Sequence, residues 1–262
     1  MTTSLSPRTL GIDAAPSSTL GPIPFSRLVR VEWAKATDTR AARWLLALSP
    51  LYAAGVMLLP VLFPTRFDQT YTSYLGLAAQ VGVTTLLPVV VILMLTGEWS
   101  QRSIMITFTQ EPRRIRVLNA KVAVSMMLSG GAAVVGGVVT AAALGLASAS
   151  GRALEANLTV GALTGYLLVV LLDGLVGVAL GMLLQNSAAA IAAFFALNAV
   201  FALLGMASTL VSHWIDTSTT WNRWVLENDW AGHVPQISVS IAFWVAVPLA
   251  AGFVRTTRRD VG

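Results

Sequence analysis

Residues 97–121 read GEWSQRSIMITFTQEPRRIRVLNAK, a charged, helix-compatible stretch held between two long apolar runs. It opens with one acid, Glu98, and ends in a basic cluster of Arg113, Arg114, Arg116 and Lys121. On both sides the chain stays apolar for the ~20 residues needed to cross a ~30 Å hydrocarbon core. The stretch therefore reads as a polar linker between membrane spans. It is the most substantial part of the chain offered to an aqueous partner.

Composition supports the same class. The chain is 55% hydrophobic and 11% charged, against about 25% charged in a soluble domain. Its mean hydropathy is +0.72. A soluble reading would need a core larger than 262 residues can enclose. The pI of 10.2 does not indicate nucleic acid, because the basic residues sit in linkers between apolar runs. The chain has no cysteine, which excludes disulfides and thiolate metal sites.

Outward from the linker, the pattern predicts an all-α polytopic protein with six spans. Residues 1–23 are rich in Ser, Thr, Pro and Gly, hold no signal-peptide core, and read as a disordered tail. Residues 24–38 (PFSRLVRVEWAKATD) place Phe25, Leu28, Val29, Trp33 and Ala36 near one helical face, with Arg27, Arg30 and Lys35 elsewhere. This predicts a basic amphipathic helix lying on the inner leaflet.

The spans are predicted at 44–63, 73–97, 117–147, 157–184, 187–211 and 237–254. The charged segment between the second and third covers 98–116. Pro50, Pro60 and Pro88 fall inside spans, where membrane bundles tolerate kinks. Gly130, Gly131, Gly136 and Gly137 permit close helix approach in the third. Residues 212–236 hold His213, Trp214, Trp221, Trp224, Trp230 and His233 and read as short interfacial helices capping the outer mouth.

Of the 17 basic residues, all but Arg66, Arg152 and Arg223 fall in the amino-terminal segment, the 98–121 region or the tail. Six spans with both termini cytoplasmic satisfy the positive-inside rule.

Motifs for chemistry are lacking. There is no HExxH, no DxxxD pair, no histidine within a predicted span and no GxxxxGK[ST] phosphate loop. The two lysines, Lys35 in WAK and Lys121 in NAK, do not follow glycine. No catalytic residue and no metal site are expected. His213 and His233 lie far apart without supporting ligands and read as boundary histidines. Any nucleotide-driven motor would belong to another chain.

The ordered set of parts resembles the membrane subunit of an ABC-2 type exporter. The elements that carry the resemblance are the opening RLVRVEWAKATDTRAARWLL, then Glu98, Pro112-Arg113-Arg114 and Lys121, then GMLLQNSAAAIA between spans four and five. Members often have an arginine where Gln185 or a neighbour stands here.

The resemblance implies a type V exporter-like fold with an elbow helix that includes Arg27, Arg30, Trp33 and Lys35. It also implies a second permease subunit, in a homo- or heterodimer, and two cytoplasmic P-loop ATPase subunits that bind ATP and Mg. No cofactor is expected on this chain, and the setting is a bacterial plasma membrane. The linker would be the coupling element, with Glu98, Arg102, Pro112, Arg113 and Arg114 as its contact residues. Glu98 would form a charge-assisted bond to the coupling helix at the membrane surface or to the elbow helix. Arg113 and Arg114 would meet the ATPase or anionic lipid heads.

Asp173 lies mid-span in LLVVLLDGLVGVAL. An ionised carboxylate facing lipid costs roughly 2.5–3.5 kcal/mol by insertion scales, so it is expected to face the bundle interior. Two readings stand: a pathway group, or an interhelix hydrogen bond with Asn198 as partner. Two other classes remain beside the exporter. One is a secondary transporter that uses Asp173 as a proton or cation site. The other is a membrane assembly protein that transports nothing.

Overall fold

The computed structural model describes residues 23–258, apart from 83, 84, 102, 103, 105, 106, 108, 110 and 112. The predicted tail thus lies outside the described residues except for Ile23. The described chain is all-helical, and its one β-bridge joins Thr70 to Glu155.

Helix α1 spans Phe25–Asp38 and α2 spans Arg40–Leu62. Thr39 separates them with an extended backbone, and its side chain caps α2 by accepting from the Ala42 N–H at 3.2 Å. Helix α3 (Tyr71–Leu77) leads through a π turn at Ala78–Gly82 toward α4 (Leu87–Ser100). Helix α5 covers Arg114–Ala149, α6 Val160–Leu184, α7 Ser187–Ala207, α8 Thr209–Trp214 and α9 Val234–Arg258.

Five of these, α2, α5, α6, α7 and α9, are long and apolar enough to cross a membrane. At 36 residues, α5 is about 54 Å long at 1.5 Å per residue, far more than a hydrocarbon core needs.

The second predicted span is the main departure. Instead of one helix over 73–97, the chain forms α3, a π turn, a turn at Thr85–Leu86 and the shorter α4. Pro88 sits in the first turn of α4, where its missing N–H costs nothing. Apolar content runs through the break, so hydropathy alone does not reveal it.

Other prolines are accommodated locally. Pro50 cannot donate to the Leu46 carbonyl, and the Ser49 hydroxyl donates to it instead at 3.2 Å. In α9, a π stretch at Ala242–Ala246 lies just before Pro248, which likewise cannot donate to the turn below it.

The core centres on α6, whose glycines seat its neighbours. A Cβ on Gly177 would lie 3.1 Å from the Pro88 backbone, one on Gly181 3.1 Å from the Leu95 side chain, and one on Gly174 2.0 Å from Ser129 Oγ of α5. By contrast, Gly130, Gly131 and Gly137 of α5 have nothing within 4 Å. Gly252 of α9 likewise lies close to the α6 backbone, whereas these three glycines of α5 seat no neighbour within this chain.

Residues 212–236 are more deeply embedded than an interfacial cap. Trp221 and Trp224 are buried in the core, while Trp214 and Trp230 stay exposed. Their segment packs backbone-to-backbone on α6, and a Cβ on Gly165 would sit 2.3 Å from the Val225 carbonyl oxygen. Trp244 of α9 donates its indole N–H to the Ile215 carbonyl at 2.7 Å, and Thr220 bonds Ser240 at 3.0 Å. The indole ring suits both the boundary and the core. The absence of a side chain at Gly165 is what admits the segment to the core.

The backbone contact at Gly165 cannot be relieved by rotating a side chain. Gly165→Ala is therefore expected to destabilise the protein by about 1–3 kcal/mol. Gly137→Ala, in open space, is expected to leave the thermal unfolding midpoint of the purified protein unchanged. Equal midpoints for the two variants would contradict this packing.

Candidate functional site

Glu32 and Lys35 are one helical turn apart on α1 and share the face turned to the bundle. The extended residue Thr39 lets α2 turn away, so this face lies across the final turn of α4, which holds Glu98, and the second turn of α5, which holds Lys121.

The four side chains close a ring of alternating charge. Lys35 Nζ is 2.8 Å from Glu32 Oε1 and 2.6 Å from Glu98 Oε1. Lys121 Nζ is 2.6 Å from Glu32 Oε2 and 2.9 Å from Glu98 Oε2. The last approach is an ion pair, not an aligned hydrogen bond. Thr107 of the linker donates its hydroxyl to Glu98 Oε1 at 3.1 Å.

Glu32 and Lys121 are buried, at 3% and 2% exposure, and the Lys35 side chain is the most open of the four at 37%. Formal charge sums to zero within the ring, which is what permits its burial.

Burial alone would raise the Glu98 carboxyl. The Lys121 charge and the hydrogen bond from Lys35 outweigh it and hold Glu98 below its ordinary value of 4.5. Burial alone would likewise lower the Lys35 ammonium, but hydrogen bonds and charges from Glu32 and Glu98 hold it above 10.5.

The far end of the linker is also tied down. Glu111 is buried and pairs with Arg116 at 2.8 Å. Arg116 also donates to the Ile23 carbonyl at 2.6 Å, just before α1. Arg114 donates to the carbonyls of Thr256 and Thr257, 3.2 Å each, near the end of α9 where carbonyls lack helical partners.

The same end of the bundle holds the α6–α7 turn. Gln185 is in the left-handed conformation (φ 53°) and donates to Thr256 Oγ1 at 3.0 Å. Arg255 donates to the Leu183 carbonyl. Thr96 of α4 bonds Ser187 of α7 at 2.7 Å. The start of α1, the linker and the end of α9 therefore share one end of the bundle.

Of the linker residues singled out in the sequence, Glu98 sits in the ring, Arg114 reaches α9 and Arg113 is exposed. Arg102 and Pro112 lie outside the described residues. On α1, Arg27, Arg30 and Trp33 are exposed. Lys35 turns inward to the ring and is not a purely surface residue. The sequence marked Lys121 only as a basic residue and passed over Glu32. The available signal was Glu32 one turn before Lys35, in a chain with only two lysines.

Asp173 lies mid-α6 beside the Gly174–Ser129 contact. Among the described residues its carboxyl has no hydrogen-bond or ion-pair partner. The hydrogen bond expected from Asn198 is not formed. Asn198 donates to Phe194 O of its own helix at 2.8 Å and accepts from Thr217 at 3.4 Å. Its amide is thus occupied along α7 and toward the 212–236 segment. His213 and His233 both lie against Trp224, with centroids 5.6 and 4.0 Å away.

No family model matches the chain, and no curated protein matches it either.

Removing one member leaves uncompensated buried charge. Lys121→Met is expected to cost about 3–5 kcal/mol, and adding Glu32→Gln to recover part of that loss. Thermal unfolding of the single and double variants measures both. The ring also fixes a pH window. Glu98's contribution is complete above 4.5 and is lost as pH falls through its depressed value. Lys35's contribution is complete below 10.5 and is lost as pH rises through its raised value. The contribution of these two ring residues should be flat between these limits, and Glu98→Gln should shrink the acid-side loss.

Proposed function

We propose that this chain is the permease subunit of an ATP-driven ABC-2 type exporter, with a separate ATPase as its motor. In this reading the protein crosses a bacterial plasma membrane six times, the second crossing being made by the broken α3–α4 segment. Both termini and the linker are cytoplasmic, in keeping with the basic residues that cluster there. Two permease subunits enclose the pathway, and two P-loop ATPase subunits hold the ATP and Mg.

The observation that carries the reading is the four-charge ring. It joins the elbow helix to the end of α4 and the start of α5, the two flanks of the linker. A linker anchored at both flanks acts as a lever. A push from the ATPase would move α1, α4 and α5 together as a rigid body. Exposed Arg113 is available to the motor, while Glu98 acts inside the lever. Arg114, already bonded to α9, would spread the movement to the last span.

A second reading has one observation in its favour. The unpartnered carboxyl of Asp173 suits a proton- or cation-driven carrier. Normal transport by an Asp173→Asn variant would remove that support.

Co-expression with a candidate P-loop ATPase tests the proposal. A stable complex and stimulated ATP hydrolysis are expected. Arg113→Glu should weaken capture of the ATPase. Glu98→Gln should leave capture intact and reduce the stimulation. Transport by the purified chain alone, with no nucleotide hydrolysis, would overturn the exporter reading.

A further inference from the structure

A cavity of ≈ 350 Å³ opens between the end of α1, the start of α2 and the last turns of α4. Its size lies within the range of about 300–1,000 Å³ typical of small-molecule sites. Its lining is divided by polarity. Lys35, Asp38, Thr39 and Gln101 form the polar part, next to Glu98. Leu93 and Met94 of α4, with Ala42 of α2, form the apolar part. Leu93 lies five residues before Glu98 on one helix, so the apolar wall extends about 7.5 Å beyond the charges. This is the profile of a bilayer boundary, with headgroup depth at one end and acyl depth at the other.

The charges select the headgroup. The ring is neutral, so the carboxylate of Asp38 gives the cavity a net charge of −1. Asp38 is exposed and has no ion-pair partner among the described residues. Arg40 and Arg43 follow it in sequence but do not line the cavity. A bound group should therefore bring a cation to Asp38. Lys35 Nζ spends two donors on Glu32 and Glu98, and its third remains for an anionic oxygen. The cavity thus offers an acceptor for an ammonium, a donor for a phosphate and an apolar wall for the chain below.

We infer that this cavity binds one phospholipid with an ethanolamine headgroup. Its ammonium sits on Asp38 and its phosphate on Lys35, with its upper acyl chain against Leu93 and Met94. A choline headgroup carries the charge but has no N–H to donate, and a glycerol headgroup has no cation. Such a lipid would brace the elbow helix against α4 beside the charge ring. The inference rests on the elbow lying at a membrane boundary and does not depend on a motor subunit.

Gly97 gives a clean test. It lines the cavity, and a Cβ there meets nothing within 4 Å, so Gly97→Leu adds apolar bulk to the space while every charged residue is kept. Full-length protein in detergent is mixed with equimolar phosphatidylethanolamine, phosphatidylcholine and phosphatidylglycerol, and retained lipid is read by native mass spectrometry.

Wild-type protein is expected to retain phosphatidylethanolamine about tenfold over the other two, the worth of one charge-assisted hydrogen bond. Asp38→Asn should remove its advantage over phosphatidylcholine. Gly97→Leu should abolish its retention at an unchanged unfolding midpoint. Equal retention of the three lipids by wild-type protein would overturn the inference. So would undiminished retention by Asp38→Asn, a surface residue whose loss leaves the ring intact. Displacement by soluble glycerophosphoethanolamine at the same concentration would overturn the lipid assignment, since the apolar wall would then contribute nothing.

Discussion

A charge taken out of water must meet its opposite, and at one end of this bundle four side chains do so together. Glu32, Lys35, Glu98 and Lys121 come from three helices, and each needs the others to be tolerable where it is. On α1 the buried residues are Glu32 and Ala36, so apolar packing contributes little to its placement. The ring has one geometry in which every charge is compensated. It therefore fixes where α1 lies and how the two flanks of the linker face each other.

The opposite end is held by a different force. There the 212–236 segment seats Trp221 and Trp224 against α6, and the fit depends on the missing side chain at Gly165. Between the two ends, Gly174, Gly177 and Gly181 let α4 and α5 approach α6 closely. The molecule thus has a tightly packed middle and Trp-bearing end, and an ionic junction where α1 meets the linker.

Much of the fold was legible in the sequence because the property being read was local. Length and apolarity located five membrane-length helices, and the isolation of polar residues located the linker. What escaped was non-local. The break before α4 lies in sequence that stays apolar, so hydropathy ran across it. The ring joins Lys35 to Glu98 and Lys121 to Glu32, 63 and 89 residues apart, and no periodicity links such positions. The glycines of α5 and α6 look alike in sequence. Only the arrangement of neighbours shows that those of α6 meet other helices while Gly130, Gly131 and Gly137 do not. Asn198 is similar: its proximity to Asp173 was plausible from span depth, yet its amide is satisfied along its own helix.

The chain has no cysteine, so spin labels can be placed without removing native thiols. Exposed Ala34 on α1 and exposed Asn119 on α5 flank the ring. The distance between labels at these two positions, measured by pulsed electron paramagnetic resonance, reports directly whether the charges hold α1 in place. A single narrow distribution that broadens when Lys121 is replaced by Met is the predicted result. A broad distribution in the otherwise unaltered protein, or a narrow one that survives the loss of Lys121, would contradict the account.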